Sequence, residues 1–361
     1  MTGTKASSNR VTIMDVARES GFSTSTVSIV LNEAPLSRHL SLQTKERIRQ
    51  TALRLGYRPD AFARSLRRRR CHTIGIMLFD LSDPFCTLIL RGIQKTLYPT
   101  TYLPIIMDAQ NERKQFERYL EMLFEHRVEG LIVVANWLFD EFDLLADIGK
   151  NKIPTVGVGR NLTASNIRSV QVDNEAGGYA AAKHIYSLGH RDIAVIRGPD
   201  ELADSSRRWE GIQRFAAEVG LALQPELIVQ MPAAVDPTSG FDGGLLLTTQ
   251  LIQSGAKFSS ILAFDDLTAL GAVRALRRAG LRVPEDCSVI GFDDVPTAAL
   301  NSPGISTIRQ PMEDMGGLVA SWILDAIRPN AAPAPECKLE LLPPALVVRD
   351  STGPAPRSTP Q

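Results

Sequence analysis

Apolar positions recur along this chain with two periods, one for each of its two parts. Up to residue 57 the spacing is helical. Ile13, Val16 and Ala17 make one apolar face, Val27, Val30 and Leu31 a second, and Ile48, Ala52 and Leu55 a third. Thr12 occupies the N-cap position of the first segment, and Gly21 can take the positive φ that ends it. Ser23 can cap a second helix over residues 24–31. A loop at 33–41 leads to a third helix predicted over 42–55, which Gly56 ends. Two short helices joined by Gly21-Phe22-Ser23 read either as a helical hairpin or as a helix-turn-helix. In the second case the outer face of the later helix, with Thr24, Ser25, Ser28, Ile29 and Asn32, is free to enter a DNA major groove.

From residue 72 the texture changes. Apolar runs TIGIMLF, LPIIM, GLIVVA, TVGVG, IAVIRG, SILAF and SVIGF alternate with amphipathic helical patterns at 112–126, 176–188, 208–219 and 267–279. Buried strands alternating with helices predict parallel sheets covered on both faces. More than ten strand candidates are too many for one small sheet, so two lobes are expected.

Charge sharpens the division. Lys and Arg equal Asp and Glu in the whole chain, yet residues 1–70 carry 14 basic and 5 acidic side chains and the rest carry 26 and 35. A basic head on an acidic body is the footprint of a nucleic-acid module joined to something else, and the arginine run at 67–70 is placed to meet phosphates. No apolar run reaches the roughly 18 residues of a spanning helix, and the polar N-terminus lacks a signal peptide's apolar segment. Cys71, Cys86, Cys287 and Cys337 form no C-x-x-C pair and read as reduced thiols of a cytoplasmic protein with no membrane partner.

The order of residues then decides between hairpin and DNA reader. VTIMDVARESGFSTSTVSIVLN, residues 11–32, resembles the headpiece signature T-I-x-D-V-A-x-x-x-G-V-S-x-x-T-V-S-x-x-L-N of the lactose/galactose repressor family, with Phe22 for the usual Val. The resemblance continues through TKERIRQTALRLGYRPDAFARSL (44–66) and across the core to about residue 349. It implies a small all-α helix-turn-helix headpiece plus an α/β two-lobed periplasmic-binding-protein-like core, with parallel sheets and helices on both faces. Expected boundaries are a disordered segment at 1–10, a DNA-binding domain at 11–59, a hinge helix and linker at 60–71, and a core at 72–350. Lobe 1 is expected at about 72–172 and 303–335, lobe 2 at 173–302 and 336–350, with crossings near 171–174, 302–306 and 332–338. The tail 351–361, rich in Pro, Ser and Thr, reads as disordered. DNA contacts are expected from Thr12, Ser23, Thr24, Ser25, Thr26, Ser28, Ile29 and Asn32, and from Ala63, Arg64 and Leu66 of the hinge helix. By resemblance Leu66 is the minor-groove wedge. Ile29 departs from the family's Arg or His; it cannot donate to guanine but can pack on a thymine methyl.

Ligands of open parallel sheets bind beyond the carboxyl ends of the strands. Those ends carry Asp80, Asp83 and Phe85, Asp108, Asn136 and Trp137, Arg160, Asp265 and Asp266, and Asp293 and Asp294. Carboxylates that accept from hydroxyl pairs, beside aromatics that cover a ring face, suit a small polyhydroxylated ligand. The resemblance adds Arg208 in SSRRWEGI as the ligand-binding arginine and Asp293 in GFDDV as the position that binds sugar hydroxyls. Asp265 replaces the usual Asn of A-N-D. The expected effector set is Arg208, Asp293, Asp265, Asp83, Phe85, Asn136, Trp137 and Arg160, while Asp266 and Asp294 also fit as helix caps, Asp173 as the anchor of a crossing and His190 as a structural residue.

The five histidines show no metal-ligand spacing, and neither a G-x-S-x-G elbow nor a P-loop is present, so no catalytic residue, metal or cofactor is expected. A solute-binding protein of a transport or chemoreceptor system shares the expected core, but has no use for a helix-turn-helix. The expectation is a homodimeric repressor on a pseudo-palindromic double-stranded DNA operator, with DNA affinity controlled by a small molecule, a sugar ahead of a nucleobase.

Overall fold

The computed structural model describes residues 11–57, 71–135, 153–232, 239–329 and 338–356. The N-terminal ten residues, the hinge helix with Ala63, Arg64 and Leu66, the arginine run, and Asn136 and Trp137 lie outside the described residues. The chain divides into two compact units, Met1–Cys71 and His72–Gln361.

In the first unit α1 (Ile13–Ser20) opens on a capping box. The Asp15 amide donates to the Thr12 hydroxyl, and the Thr12 amide donates to the Asp15 carboxylate at 2.9 Å. Gly21, at φ 78°, ends it with its N–H on the Ala17 carbonyl. Ser23 caps α2 (Thr24–Leu31), and Ser41 caps α3 (Leu42–Arg54) through the Thr44 amide. The segment expected as a loop at 33–41 contains a 3-10 turn, Pro35–His39, and the half-buried Leu40 after it packs on the core. That core is Val16, Ala17, Val27, Val30, Ile48 and Ala52, with Leu31 and Leu55 at its rim.

The second unit holds two six-stranded sheets. The first is assembled in the order β11-β5-β4-β3-β1-β2 from β1 (Thr73–Leu78), β2 (Leu103–Asp108), β3 (Gly130–Val134), β4 (Thr155–Val158), β5 (Arg168–Val172) and β11 (Leu339–Leu342), all parallel. The second has the order β12-β10-β9-β8-β6-β7. Its strands are β6 (Ile193–Arg197), β7 (Ile228–Gln230), β8 (Ser260–Ala263), β9 (Ser288–Asp293), β10 (Ser306–Arg309) and β12 (Ala345–Val347). They run parallel except β12, which pairs antiparallel at the edge.

Period-two alternation sends successive side chains to opposite faces. Ile74, Ile76 and Leu78 of β1 join the core with α4 (Pro84–Leu97) and α11 (Met312–Ala326), while Met77 and Phe79 face α5 (Arg113–Glu125). In the second sheet Ile193 and Val195 face α6 (Asn174–Ser187) and α7 (Ala203–Val219). Ala194 and Ile196 face α8 (Gly240–Gln253) and α9 (Asp266–Arg278), and the short α10 (Pro296–Leu300) joins the same core through Ala298.

Sheet membership places the crossings. The chain leaves lobe 1 after Val172. Two further crossings fall later than expected. Because β10 pairs with β9, lobe 2 runs through Arg309 and the return is at 310–311; Pro303 and Gly304 mark the loop before β10, not a change of lobe. Because β11 pairs with β5 and β12 with β10, the last crossing is the Pro343-Pro344 pair. The misreading came from turn signals, which mark chain reversals of any kind.

The tail is a second correction. Ser351 is fully buried, accepts from the Val289 and Ser306 amides and donates its own N–H to Gly304, while Ala355 N–H donates to Leu188. The hydroxyls that made this stretch look disordered are its means of attachment; residues 357–361 lie outside the described residues. His190 is structural, bonded to Ser259, Ser288 and the Gly353 carbonyl.

Helices α6 and α7 touch through two glycines. A Cβ on Gly178 would run into the Arg208 carbonyl, and one on Gly211 into the Glu175 carbonyl. Gly178→Ala therefore has to push α7 away, and a loss of about 1–3 kcal/mol is expected in urea unfolding, as for other overpacked contacts. Unchanged stability would show that the helices have slack there.

Candidate functional site

The headpiece surface is built by caps. The Ser23 hydroxyl accepts from the Thr26 amide and pairs with the Thr26 hydroxyl at 2.8 Å. Thr12 is bonded to Asp15, and the Asn32 side-chain amide donates to the carbonyl and hydroxyl of Ser28. Thr24 and Ser25 are exposed, and Ser28 and Ile29 are half-buried on α2. Of the residues expected to meet DNA, then, Thr12, Ser23, Thr26 and Asn32 also fix the helices that present the others.

In the second unit the carboxyl ends of β8 and β9 converge with the N-terminal parts of α6 and α7 on Arg208. This residue is 7% exposed, with its guanidinium carbon 3.6 Å from the centroid of the Phe292 ring and 4.7 Å from that of Phe264. Its Nε donates to Asn174 Oδ1 at 2.9 Å, Nη1 to the Phe264 carbonyl at 2.6 Å, and Nη2 to Asp293 Oδ1 at 3.4 Å. Asn174 in turn donates to Asp204, and Gln310 donates to the same Asp293 oxygen at 2.6 Å.

These groups wall a cleft, closed from lobe 1 by Asp83, Pro84 and Phe85. Asp83 is the N-cap of α4 and aims that helix's first turn at lobe 2. Asp293 has φ 109° and Asp294 φ 61°, left-handed backbone that an aspartate tolerates better than most residues. Asp294 is clamped there by Arg309 and Arg349. It caps no helix, contrary to one expectation; the ion pairs hold the turn that delivers Asp293 to the cleft.

The adjacent aspartates are also reversed. Asp265, not Asp266, is the N-cap of α9, accepting from the Thr268 amide at 2.7 Å. Asp266 points down, accepting from the Val295 amide and the Thr307 hydroxyl, and so ties the ends of three strands. Asp173 caps α6 at the first crossing.

The structure thus brings together Arg208, Asp293, Asp265, Asp83 and Phe85. It puts Arg160 elsewhere, in an adjoining recess with Gln171, Asp173 and Glu175 that meets the cleft at Asp204. Sequence reasoning missed Asp204, Asn174, Gln310 and Phe264. Phe264 was legible as the last residue of SILAF, and Asn174 sat beside a predicted crossing. Gln310 was hidden by the misplaced second crossing, and nothing in the local pattern marked Asp204.

Burial dominates the electrostatics. It raises the carboxyls of Asp204 and Asp265, against the pull of Arg208, and raises Asp266 well above the usual carboxylate range, with Asp293 adding to the effect. Asp293 is pushed up to about 7, chiefly by burial and opposed by Arg208. Among the described residues no group of three or more His, Cys, Asp or Glu is arranged to hold a metal ion, and no helix is long and apolar enough to cross a membrane.

Comparison with known proteins agrees with this division. Residues 12–60 match the model of bacterial regulatory proteins of the lacI family, and 182–352 that of a periplasmic binding protein-like domain. The ribose operon repressor of Haemophilus influenzae is 30% identical over 340 residues, 94% of this chain and 98% of that one. The lac repressor dimer bound to operator and the anti-inducer ONPF superposes with a TM-score of 0.80 at 25% identity, covering 96% of this chain and all of that one. A LacI family transcriptional regulator from Enterococcus faecium with bound ribose gives 0.66 at 28% identity, covering 78% and 99%.

The position of Asp293 has a measurable consequence. Between its unfolded value of 3.8 and about 7 the group is protonated in the folded chain and ionised in the unfolded one. The folded state then holds the extra proton, and stability falls as pH rises through that window. Asp293→Asn removes this dependence. The melting temperature of the variant is expected to gain on that of the wild type from about pH 4 to pH 7 and to keep a constant gap above; a gap independent of pH would show that Asp293 ionises normally.

Proposed function

The chain belongs to the lacI family of bacterial regulatory proteins, and on that premise we propose a transcriptional repressor that binds operator DNA as a homodimer under the control of a small molecule in the Arg208 cleft. The observation that carries the reading is the joining, in one chain, of a capped helix-turn-helix unit to a two-lobed unit with a polar cleft between its lobes. A solute-binding protein accounts for the second unit alone.

On the DNA side, α2 enters the major groove with Thr24, Ser25, Ser28 and Ile29 toward base edges. Thr12, Ser23, Thr26 and Asn32 hold the helix ends and meet the backbone. Ala63, Arg64 and Leu66 form the minor-groove contact, with Leu66 as wedge. One headpiece spans half a site, so two copies read a pseudo-palindrome.

On the ligand side, Arg208, Asp293, Asp265, Asp83 and Phe85 hold the effector, joined by Asp204, Asn174, Gln310 and Phe264. A sugar is the favoured class, in keeping with the ribose in the Enterococcus faecium structure. Arg160 acts only on an effector long enough to reach the recess beside the cleft. Coupling follows from where the polar network ends. Asn174 adjoins the first crossing and Gln310 sits on the second, so a ligand that competes for Arg208 and Asp293 pulls on the segments that set the angle between lobes. Whatever factor the ligand applies to operator affinity, the operator applies to ligand affinity.

The test is operator binding by fluorescence anisotropy, with and without ligand. Arg208→Ala is expected to bind operator and lose the ligand response. Leu66→Ala is expected to bind operator at least tenfold more weakly and still bind ligand. DNA binding without sequence preference would reject the repressor, and an intact response in Arg208→Ala would reject the cleft as its control.

A further inference from the structure

The charges around the cleft are unbalanced. Its walls carry Asp83, Asp204, Asp265, Asp266 and Asp293 against one cation among the described lining residues, Arg208, with Arg160 of the adjoining recess also acting on Asp204. Arg208 is already committed, since Nε, Nη1 and Nη2 each donate to a protein acceptor. The carboxylates are used by halves. Asp204 receives Asn174 on Oδ1, Asp265 receives the Thr268 amide on Oδ1, and Asp293 receives Arg208 and Gln310 on Oδ1. Asp265 is also met by the Leu267 amide and the Thr268 hydroxyl, whereas no donor among the described residues reaches the second oxygen of Asp204 or Asp293. The site therefore pins Asp204 and Asp293 by one oxygen each, and both residues line the same cleft.

Resting on the reading of this cleft as the effector site, we propose that its effector is a cationic amine that also bears hydroxyls, of the amino-sugar class. The two unpaired carboxylate oxygens, with the charge of Asp265 beside them, accept and cannot donate while ionised, so they select a ligand rich in donors. An ammonium brings three donors and the charge that the walls lack. An anion meets like charge from the carboxylates, and Arg208 already spends three of its five N–H groups on protein acceptors. A neutral polyol can satisfy the hydrogen bonds but leaves the carboxylates buried without a counter-ion, which is costly in a closed cleft. Phe85 and Phe264 in the walls give a ring an apolar face, which a linear polyamine would not use. Burial raises the carboxyls of Asp204, Asp265 and Asp293, and a cation beside them opposes that shift as Arg208 does.

Asp265 makes the proposal testable without disturbing the fold. Asn is as good an N-cap as Asp, so Asp265→Asn keeps the Thr268 contact and removes only the charge. The probes are matched sets: glucosamine, N-acetylglucosamine and glucose; galactosamine and galactose; ribose; and glucose 6-phosphate. Thermal shift and calorimetric titration of the full chain are expected to show at least one amine binding tenfold or more tighter than its hydroxyl and N-acetyl counterparts, and no binding of the phosphate. In Asp265→Asn, melting like the wild type, that ratio is expected to fall below threefold. A hydroxyl sugar that binds as tightly as its amine, an unchanged ratio in Asp265→Asn, or no shift from any amine would each overturn the proposal. Operator binding separates the two readings. Glucose or ribose that changes it while amines do nothing removes the amine and leaves the regulator; an amine that binds with no effect on operator affinity keeps the amine and removes the control.

Discussion

A guanidinium cannot give up its proton, so burying one obliges the protein to surround it with acceptors and polarisable faces. Arg208 imposes that demand on lobe 2. Two rings flank it, a side-chain amide and a main-chain carbonyl accept from it, and a carboxylate lies within reach. The partners come from three elements: the start of α6, the end of β8 and the end of β9. The backbone of Arg208 is itself the surface on which Gly178 packs. Helix contact, strand ends and ligand cleft are thus one geometric problem with one solution, and a change to any of them is felt by the others.

The same network reaches past lobe 2. Asn174 and Gln310 belong to segments that pass between the sheets, while Asp83 and Phe85 arrive from the other lobe on the first turn of α4. Within each lobe the sheets are covered on both faces by tightly packed helices, so the lobes are stiff and the crossings are where motion is admitted. A polar site attached to two crossings is well placed to bias such motion. Asp294, with its two arginines, adds a fixed point that holds the left-handed turn under Asp293.

How much of this was legible depends on what kind of signal each feature leaves. The first two headpiece helices were legible because caps are local: Thr12, Gly21 and Ser23 act within three or four positions of themselves, whereas the turn at Pro35–His39 and the Ser41 cap were not read. The long central strands were legible as apolar runs. The short strands β5, β7, β10, β11 and β12 were not, since RSVQV, IVQ, STIR, LELL and ALV are too brief or too polar to stand out. Strand-end aspartates marked the cleft correctly as a region. Their individual duties depended on partners far away in sequence: Thr307 and Val295 for Asp266, Arg309 and Arg349 for Asp294. No pattern of neighbours encodes that. The tail failed for the same reason, because its hydroxyls say nothing of the strands they bind.

The lobes are also discontinuous, and translation meets them in order. The headpiece has all of its core by residue 57. The first sheet waits for α11 and β11, and the second for β10, β12 and the strap at 351–355, all of them later than residue 305. Domains fold as units during synthesis, N-terminal first. On the ribosome the nascent chain therefore displays a finished headpiece while both lobes lack strands. A product cut short in that interval carries the DNA-recognising unit without the completed lobes that would govern it.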